Sequence, residues 1–467
     1  ACLAFLSPSL PVDPFATMLS ALCTRAAVQA CDSLLALRGV RCASSSPSRK
    51  FDLEKNVFVA PGEQRVYAGR SCMDEMLSDV RKTSKRPLVV TDAGLMNAGV
   101  VDQVLEQMKR RHDFAPVLFG DSQPNPSHKD AVGIAQAFLQ GDCDYVLGIG
   151  GGGPLDAAKG GMALVANQRV NHDFKLAEDG PGFVDNIRAF LAALGKNDAM
   201  RAQYAAAVPA MAAIPTTAGT GSEGGKSAVI TNTSGVKVVF GNPVFLPSVV
   251  GLFPQVTVGL PPALTAATGV DAMFHCMEAY FVTKAAAYAD GLTDEGMEEC
   301  DQYALTGMYL VLKHLEPAFL DGTNLEARLH MLVAAFYGAK AFRKGDLGGV
   351  HATAHALGSL YHLHHGASIA RMSVPVLEYN APRVDQDTKI RFKMVHSLFP
   401  SGKNTLHESL HQFLRRFNIP VGLQQLERQP NDIETLAALA SKDPCQTNPV
   451  PLKLEDYRSI FEAAAKL

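Results

Sequence analysis

Residues 144–159 read AspTyrValLeuGlyIleGlyGlyGlyGlyProLeuAspAlaAlaLys. A short apolar run of strand character ends in four consecutive glycines. Pro154 then suits the first turn of a helix, where its missing N–H costs nothing. Strand, glycine turn and helix make one parallel α/β unit. Glycines let the backbone approach a ligand closely, and a helix start offers free N–H groups to a phosphate. The run is not GxGxxG on a first strand, nor a Walker A loop, which needs Gly-Lys-Ser/Thr after four spacers. On its own it is as readable as a bare turn.

The pattern repeats outward from this unit. ProLeuValValThrAsp at 87–92 predicts a strand ending at Asp92. Residues 98–111 have helical spacing, with Val100, Val101, Val104, Leu105 and Met108 on one face. A strand is expected at 114–119, a helix at 129–140, and a buried strand at 212–215. Such alternation predicts a parallel sheet covered by helices. Residues 171–207 are polar and Gly-interrupted, an excursion between strands. Beyond about residue 255 helical stretches dominate, at 262–280, 293–316, 324–343, 348–361, 386–398, 403–417 and 453–466. The fold class expected is an α/β N-terminal dinucleotide-binding domain over 51–254 and an all-α C-terminal domain over 255–467. The length of 467 residues accommodates this, at roughly 100–200 residues per domain.

Composition removes several functions. No apolar run of 18 residues escapes interruption by charge, so no membrane span is expected. A net charge of −3 builds no field for nucleic acid. Nine cysteines without a CxxC pair fit reduced intracellular thiols rather than a disulfide framework.

Residues 1–50 stand apart. From Met18 to Lys50 the chain carries Arg25, Arg38, Arg41, Arg49 and Lys50 against one acid, Asp32, with serines at 44–46 and 48. This Arg-rich, Ser-rich, acid-poor leader predicts an organelle transit peptide and a mitochondrial address, with Met18 as start. The closing Ala465-Lys466-Leu467 is close to the peroxisomal Ser-Lys-Leu. Peroxisome and cytoplasm are therefore the alternatives.

Three further segments carry chemistry. The loop IleProThrThrAlaGlyThrGlySerGlu at 214–223 offers hydroxyls and backbone N–H groups to phosphate or carboxamide, or caps a helix. Asp92, at a strand end, can bind a ribose hydroxyl pair or serve as a turn residue. Asp271 and His275 sit four apart, as do His351 and His355, and His365 follows in the next turn. Four-residue spacing places each pair on one helix face, and His365, ten residues past His355 and just before Gly366, is expected in the loop that follows. A carboxylate with several imidazoles suits Fe(II) or Zn(II). The zinc-protease HExxH is excluded by Ala352. His362 and His364 read as surface bystanders.

Together these segments resemble the iron-containing alcohol dehydrogenase family from about residue 55 onward. Gly150 to Lys159 matches its Gly-Gly-Gly-Ser-Pro-x-Asp-x-x-Lys with one change. Pro215 to Glu223 matches Pro-Thr-Thr-Ala-Gly-Thr-Gly-Ser-Glu without a change. Ala266 to His275 matches Ala-Ala-Thr-Gly-x-Asp-Ala-x-x-His, and His351, His355 and His365-Gly366 match its histidine motif. AspProCysGlnThrAsnPro at 443–449 is similar to its closing Asn-Pro motif. The resemblance implies a dehydroquinate synthase-like fold and a homo-oligomer, a dimer. It implies hydride transfer between NAD and a small alcohol or aldehyde, with a divalent metal, Fe(II) ahead of Zn(II), as Lewis acid. Asp271, His275, His351 and His365 would be its ligands, with His355 beside the nicotinamide relaying a proton. Gly151, Gly152, Gly153, Thr216 and Thr217 would line the pyrophosphate, and Asp92 would select NAD. Asn125, Asp156, Ser222 and Lys237 would also lie on the cofactor side. Gly153 departs from the family's serine, His364 from a proline, Phe253 from an aspartate, and Gly224-Gly225 from a bulkier pair. Rival readings are a hydroxyacid–oxoacid transhydrogenase, a dehydroquinate synthase-like lyase with a Glu and two His as metal shell, and an inactive nucleotide-binding scaffold.

Overall fold

A computed structural model describes residues 51–171, 187, 190–192, 195, 197–234, 237–282, 293–342, 347–400 and 402–467. The leader, and most of the 171–207 excursion, lie outside the described residues.

The N-terminal half is one seven-stranded sheet in the order β1-β2-β9-β6-β5-β3-β4. Its strands are β1 (Asn56–Ala60), β2 (Gln64–Ala68), β3 (Pro87–Val90), β4 (Val117–Phe119), β5 (Tyr145–Gly150), β6 (Met211–Pro215) and β9 (Val249–Leu252). β1 and β2 form an antiparallel hairpin, and every other pairing is parallel. All residues of β3, β5, β6 and β9 are buried. Continuous apolar runs of this kind follow from helices covering both faces of a parallel sheet. One face packs on α4 (His128–Gln140), α5 (Gly152–Val170) and α6 (Asp198–Ala207). The other packs on α1 (Met73–Arg81) and α3 (Val100–His112). A short α2 (Ala93–Asn97) follows β3. A separate ribbon of β7 (Ser227–Thr231) and β8 (Lys237–Gly241) leans on α5.

The chain runs outward from β3 to β4, then returns to lay β5 on the other side of β3. Strand order therefore reverses between β3 and β5. In open α/β sheets ligands bind beyond the carboxyl ends of the strands flanking such a reversal. Asp92 and the glycine run lie at those two ends.

The second half is helical: α7 (Pro262–Phe281), α8 (Asp294–Leu320), α9 (Leu325–Ala341), α10 (Gly349–Tyr361), α11 (His365–Asn380), α12 (Gln386–Ser397), α13 (Leu406–Arg415), α14 (Asp432–Ala440) and α15 (Leu454–Ala464). None of the described helices is long and apolar enough to cross a membrane. Its core extends onto the β1, β2 and β9 side of the sheet through Ala60, Val66, Ala68, Val250 and Leu252.

The sequence reading missed α11, α14, the β1–β2 hairpin, α1, the β7–β8 ribbon and β9. α11 starts directly after the His-rich turn and carries Pro375 in its interior, which interrupts a helical pattern. The excursion expected at 171–207 ends in a helix, α6, over its last ten residues.

Candidate metal centre and nucleotide cleft

α7 is buried from Thr265 to Phe281. Asp271, His275 and Glu278 fall at i, i+4 and i+7, so they share a face. α10 crosses nearby with His351 and His355. His365 is not in a loop, as its place in sequence suggests, but is the first residue of α11. The glycine after it makes this approach feasible. A Cβ on Gly366 would stand 2.1 Å from the carbonyl oxygen of Ala267 on α7. Any larger residue would push the start of α11 off α7, and His365 with it.

Three imidazoles converge on one carboxylate. Asp271 Oδ1 lies 3.8 Å from His275 Nε2, 3.5 Å from His351 Nε2 and 3.4 Å from His365 Nε2. The opposite nitrogens fix the tautomers. His275 Nδ1 donates to the Gly219 carbonyl at 3.2 Å. His351 Nδ1 meets Glu278 Oε2 at 2.5 Å, and Glu278 Oε1 accepts from Val350 N at 2.8 Å. A proton on Nδ1 leaves the Nε2 lone pair free, the form in which imidazole binds a metal. Asp271 Oδ1 and His351 Nε2 are buried without a hydrogen-bond partner. Such atoms cost stability unless something satisfies them.

The electrostatics ask for a cation. Burial pushes the Asp271 carboxyl up, but the surrounding imidazoles outweigh it and hold the group well below the usual range. Burial also disfavours a charged His351, yet the Glu278 and Asp271 carboxylates raise it to about 9. Burial pushes His365 down to about 4, outweighing the opposing pull of the Asp271 carboxylate. Without a metal, a proton on His351 offsets the two buried carboxylates. A divalent ion among the Nε2 atoms and Asp271 Oδ1 would supply that charge and satisfy both orphaned atoms. The donor set of three nitrogens and one oxygen fits Fe(II) or Zn(II).

His355 stands apart from this convergence. Its ring stacks on His365 with centroids 5.1 Å apart, and its Nδ1 lies 2.9 Å from Asp443 Oδ2. Asp443 Oδ1 in turn accepts from Cys445 N at 2.9 Å. Asn448 braces the same region, its Oδ1 accepting from Gly349 N at 3.2 Å and from Asn380 Nδ2 at 2.9 Å. His362 and His364 are exposed.

On the nucleotide side, the glycine turn and the Thr216–Gly221 loop face each other. A Cβ on Gly151 would lie 3.2 Å from Thr217, and one on Gly152 2.8 Å from Thr220. One on Gly153 would lie 2.7 Å from the Gln123 carbonyl and 2.9 Å from that of Pro124. The serine usual in the family therefore has no room here, because the 121–126 segment presses on the start of α5. Asp92 caps α2, accepting from Leu95 N at 2.9 Å through Oδ1. Lys237 Nζ donates to Asn125 Oδ1 at 3.2 Å.

Asp156 and Ser222, expected on the cofactor side, are joined to each other and to the scaffold. Ser222 Oγ donates to Asp156 Oδ1 at 2.6 Å, and Val229 N to Oδ2 at 2.9 Å. Lys159, fully buried, donates to Ser222 Oγ and to the carbonyls of Ser222, Gly225 and Ser227. This network ties α5 to the loop after β6, so both side chains act within the scaffold. Glu278, Asp443 and Lys159 were missed as functional or supporting residues. The 271-275-278 spacing was a readable signal for the first; nothing local marked the pairing of Asp443 with His355.

Comparison with known proteins agrees with this geometry. Residues 63–254 match the family described as iron-containing alcohol dehydrogenase, and residues 265–465 match its C-terminal region. The 4-hydroxybutyrate dehydrogenase of Cupriavidus necator is 31% identical over 386 residues, covering 81% of this chain and 92% of that protein. Alcohol dehydrogenase 4 of Saccharomyces cerevisiae is 31% identical over 404 residues, 85% of this chain and 96% of that one. A solved 1,3-propanediol oxidoreductase superposes with a TM-score of 0.70 at 27% identity, covering 89% of this chain and 100% of that one.

Proposed function

Since the chain belongs to the iron-containing alcohol dehydrogenase family and is an NAD-linked oxidoreductase of alcohols and aldehydes, we propose the roles its residues play. Asp271, His275, His351 and His365 hold one divalent metal, with Fe(II) as the native ion. The observation that carries this is the pair of buried, unpartnered atoms, Asp271 Oδ1 and His351 Nε2, among three oriented imidazoles. When bound there, the ion supplies Lewis acidity to the alcohol oxygen. His355, held by Asp443 through Nδ1–H, turns Nε2 toward the cleft and takes up the alcohol proton. The N–H groups of Gly151, Gly152 and Gly153 at the start of α5 and the hydroxyls of Thr216 and Thr217 receive the NAD pyrophosphate. Asp92 repels a 2′-phosphate, and Asn125 and Lys237 approach the cofactor from the other rim.

The test compares His351→Ala, His365→Ala and His355→Ala for metal content and rate. The first two should lose metal and activity together, and the third turnover alone. If His355→Ala empties the site while His351→Ala leaves it full, the two histidines are assigned the wrong way round. Equal efficiency with NADP and NAD would remove Asp92 from its role.

Two further readings belong here. The composition of residues 18–50 supports a mitochondrial address. A fluorescent fusion carrying residues 18–50 should reach mitochondria; a diffuse signal would remove the assignment. A homodimer is supported by β1, one of the two edges of the sheet, with Val57 and Val59 37% and 58% exposed. Sedimentation showing only monomer at micromolar concentration would count against it.

A further inference from the structure

His355, Asp443 and Cys445 each offer one ligand atom, and the three atoms lie within 4.8 Å of one another. The arrangement is preformed. Asp443 Oδ1 holds the backbone N–H of Cys445 at 2.9 Å, closing a tight turn around Pro444. That turn leaves Oδ2 for His355 Nδ1, 2.9 Å away. The Cys445 thiol is buried behind these two half-buried side chains. Ligand atoms around a tetrahedral zinc are about 3.5 Å apart, given metal–ligand bonds of about 2.0–2.3 Å. Reaching that geometry needs only a slight opening between His355 and Asp443 and a closer approach of the sulfur. The Asp271 centre holds only nitrogen and oxygen donors, whereas this one adds sulfur, the ligand that selects thiophilic ions.

We propose that His355, Asp443 and Cys445 form a second, inhibitory site for a thiophilic divalent ion such as Zn(II) or Cd(II). Binding at Cys445 Sγ displaces the thiol proton, and binding at His355 Nδ1 moves the neutral ring's one proton to Nε2, so a single proton is released and affinity rises with pH. The Lys237 ammonium acts electrostatically on Asp443, which opposes a further cation and makes this site weaker than the Asp271 centre. Inhibition follows from the tautomer. With Nδ1 on the ion, the ring's proton sits on Nε2, the nitrogen that has to accept the proton of the alcohol. The inhibition rests on the relay role proposed for His355; the binding does not.

The experiment starts from enzyme carrying one Co(II) per chain and adds further Co(II). The second equivalent should bring a thiolate-to-cobalt charge-transfer band, which a centre of one carboxylate and three imidazoles cannot give. Zn(II) should then inhibit, reversibly by a chelator too weak to strip the first ion. In Cys445→Ala the band should vanish. Zinc inhibition, measured against that variant's own uninhibited rate, should weaken by about tenfold or more. Retention of the first cobalt shows that the variant has folded, and Cys445→Ser serves if it has not. No band in the parent enzyme, or unchanged zinc inhibition in Cys445→Ala, overturns the proposal, the latter by pointing to exchange at the Asp271 centre. A fault in the Asp271 assignment would show instead as a missing first equivalent.

Discussion

Glu278 sits two turns along α7 from Asp271 and never meets the three converging Nε2 atoms. Its carboxylate holds His351 Nδ1 and the Val350 N–H together, so it sets both the tautomer and the tilt of His351. In Glu278→Gln one amide oxygen can replace only one of these acceptors, and the amide N–H groups would face the ring's own N–H. Metal affinity, read by chelator competition, should fall about 10–100-fold with little loss of helix content. Unchanged affinity would mean that the α10 backbone alone orients His351. The four-residue spacing made the shared faces of Asp271 with His275 and of His351 with His355 legible. Which Nδ1 each partner takes was not, since Gly219 and Glu278, the latter readable on the same face as Asp271, reach those nitrogens only after the loop and both helices have packed.

At the level of elements, the start of α5 shows how one residue reshapes a binding loop. Gly153 leaves space that the Gln123 and Pro124 carbonyls fill. Those are backbone atoms, which move only by shifting the whole 121–126 segment. Gly153→Ser should therefore raise the KM for NAD, by about tenfold if the shift costs about 1.4 kcal/mol, and change kcat less. An unchanged KM would show that the segment yields freely. The glycine run and the following helix could be read from residue types alone. That the departure from serine serves a steric fit, rather than costing a hydrogen bond, needed the neighbouring loop. α11 teaches the same lesson, since only its packing on α7 explains why glycine follows His365.

Across the whole molecule, the two halves meet over a buried polar junction. Lys340 on α9 donates to the carbonyls of Pro61 and Gly224 at 3.2 and 2.9 Å and also to Gln64 Oε1. Gln64 Nε2 donates to the Glu223 and Pro247 carbonyls. The Glu223 side chain is buried there with Oε1 unpartnered. Burial pushes its carboxyl up to about 7, against the smaller pull of Lys159 and Lys340. A raised carboxyl favours the folded state below the unfolded pKa of about 4.3 and loses that contribution as pH rises through about 7. Glu223→Gln should therefore be more stable than the parent at pH 8, by about 3–4 kcal/mol, with the gain shrinking to nothing near pH 4. Urea midpoints across pH 4–8 measure this. A constant difference over that range would mean that Glu223 does not titrate there.

The alternation of strands and helices, the glycine turn and the spacing of Asp271, His275, His351 and His365 were determined by residue order alone. Each depends on a period of two or 3.6 residues, or on a neighbour within one turn. The antiparallel β1–β2 edge, β9 and α11 were decided by tertiary structure. Their residues take their form from what they pack against: a sheet edge, a central strand register, or the backbone of α7. The same division runs through the site. Sequence supplied the donor types, while packing alone paired His355 with Asp443, linked Asp156 to Lys159 through Ser222, and filled the space beside Gly153. Contacts between residues dozens or hundreds of positions apart carry no local periodicity, so only the folded chain can select them.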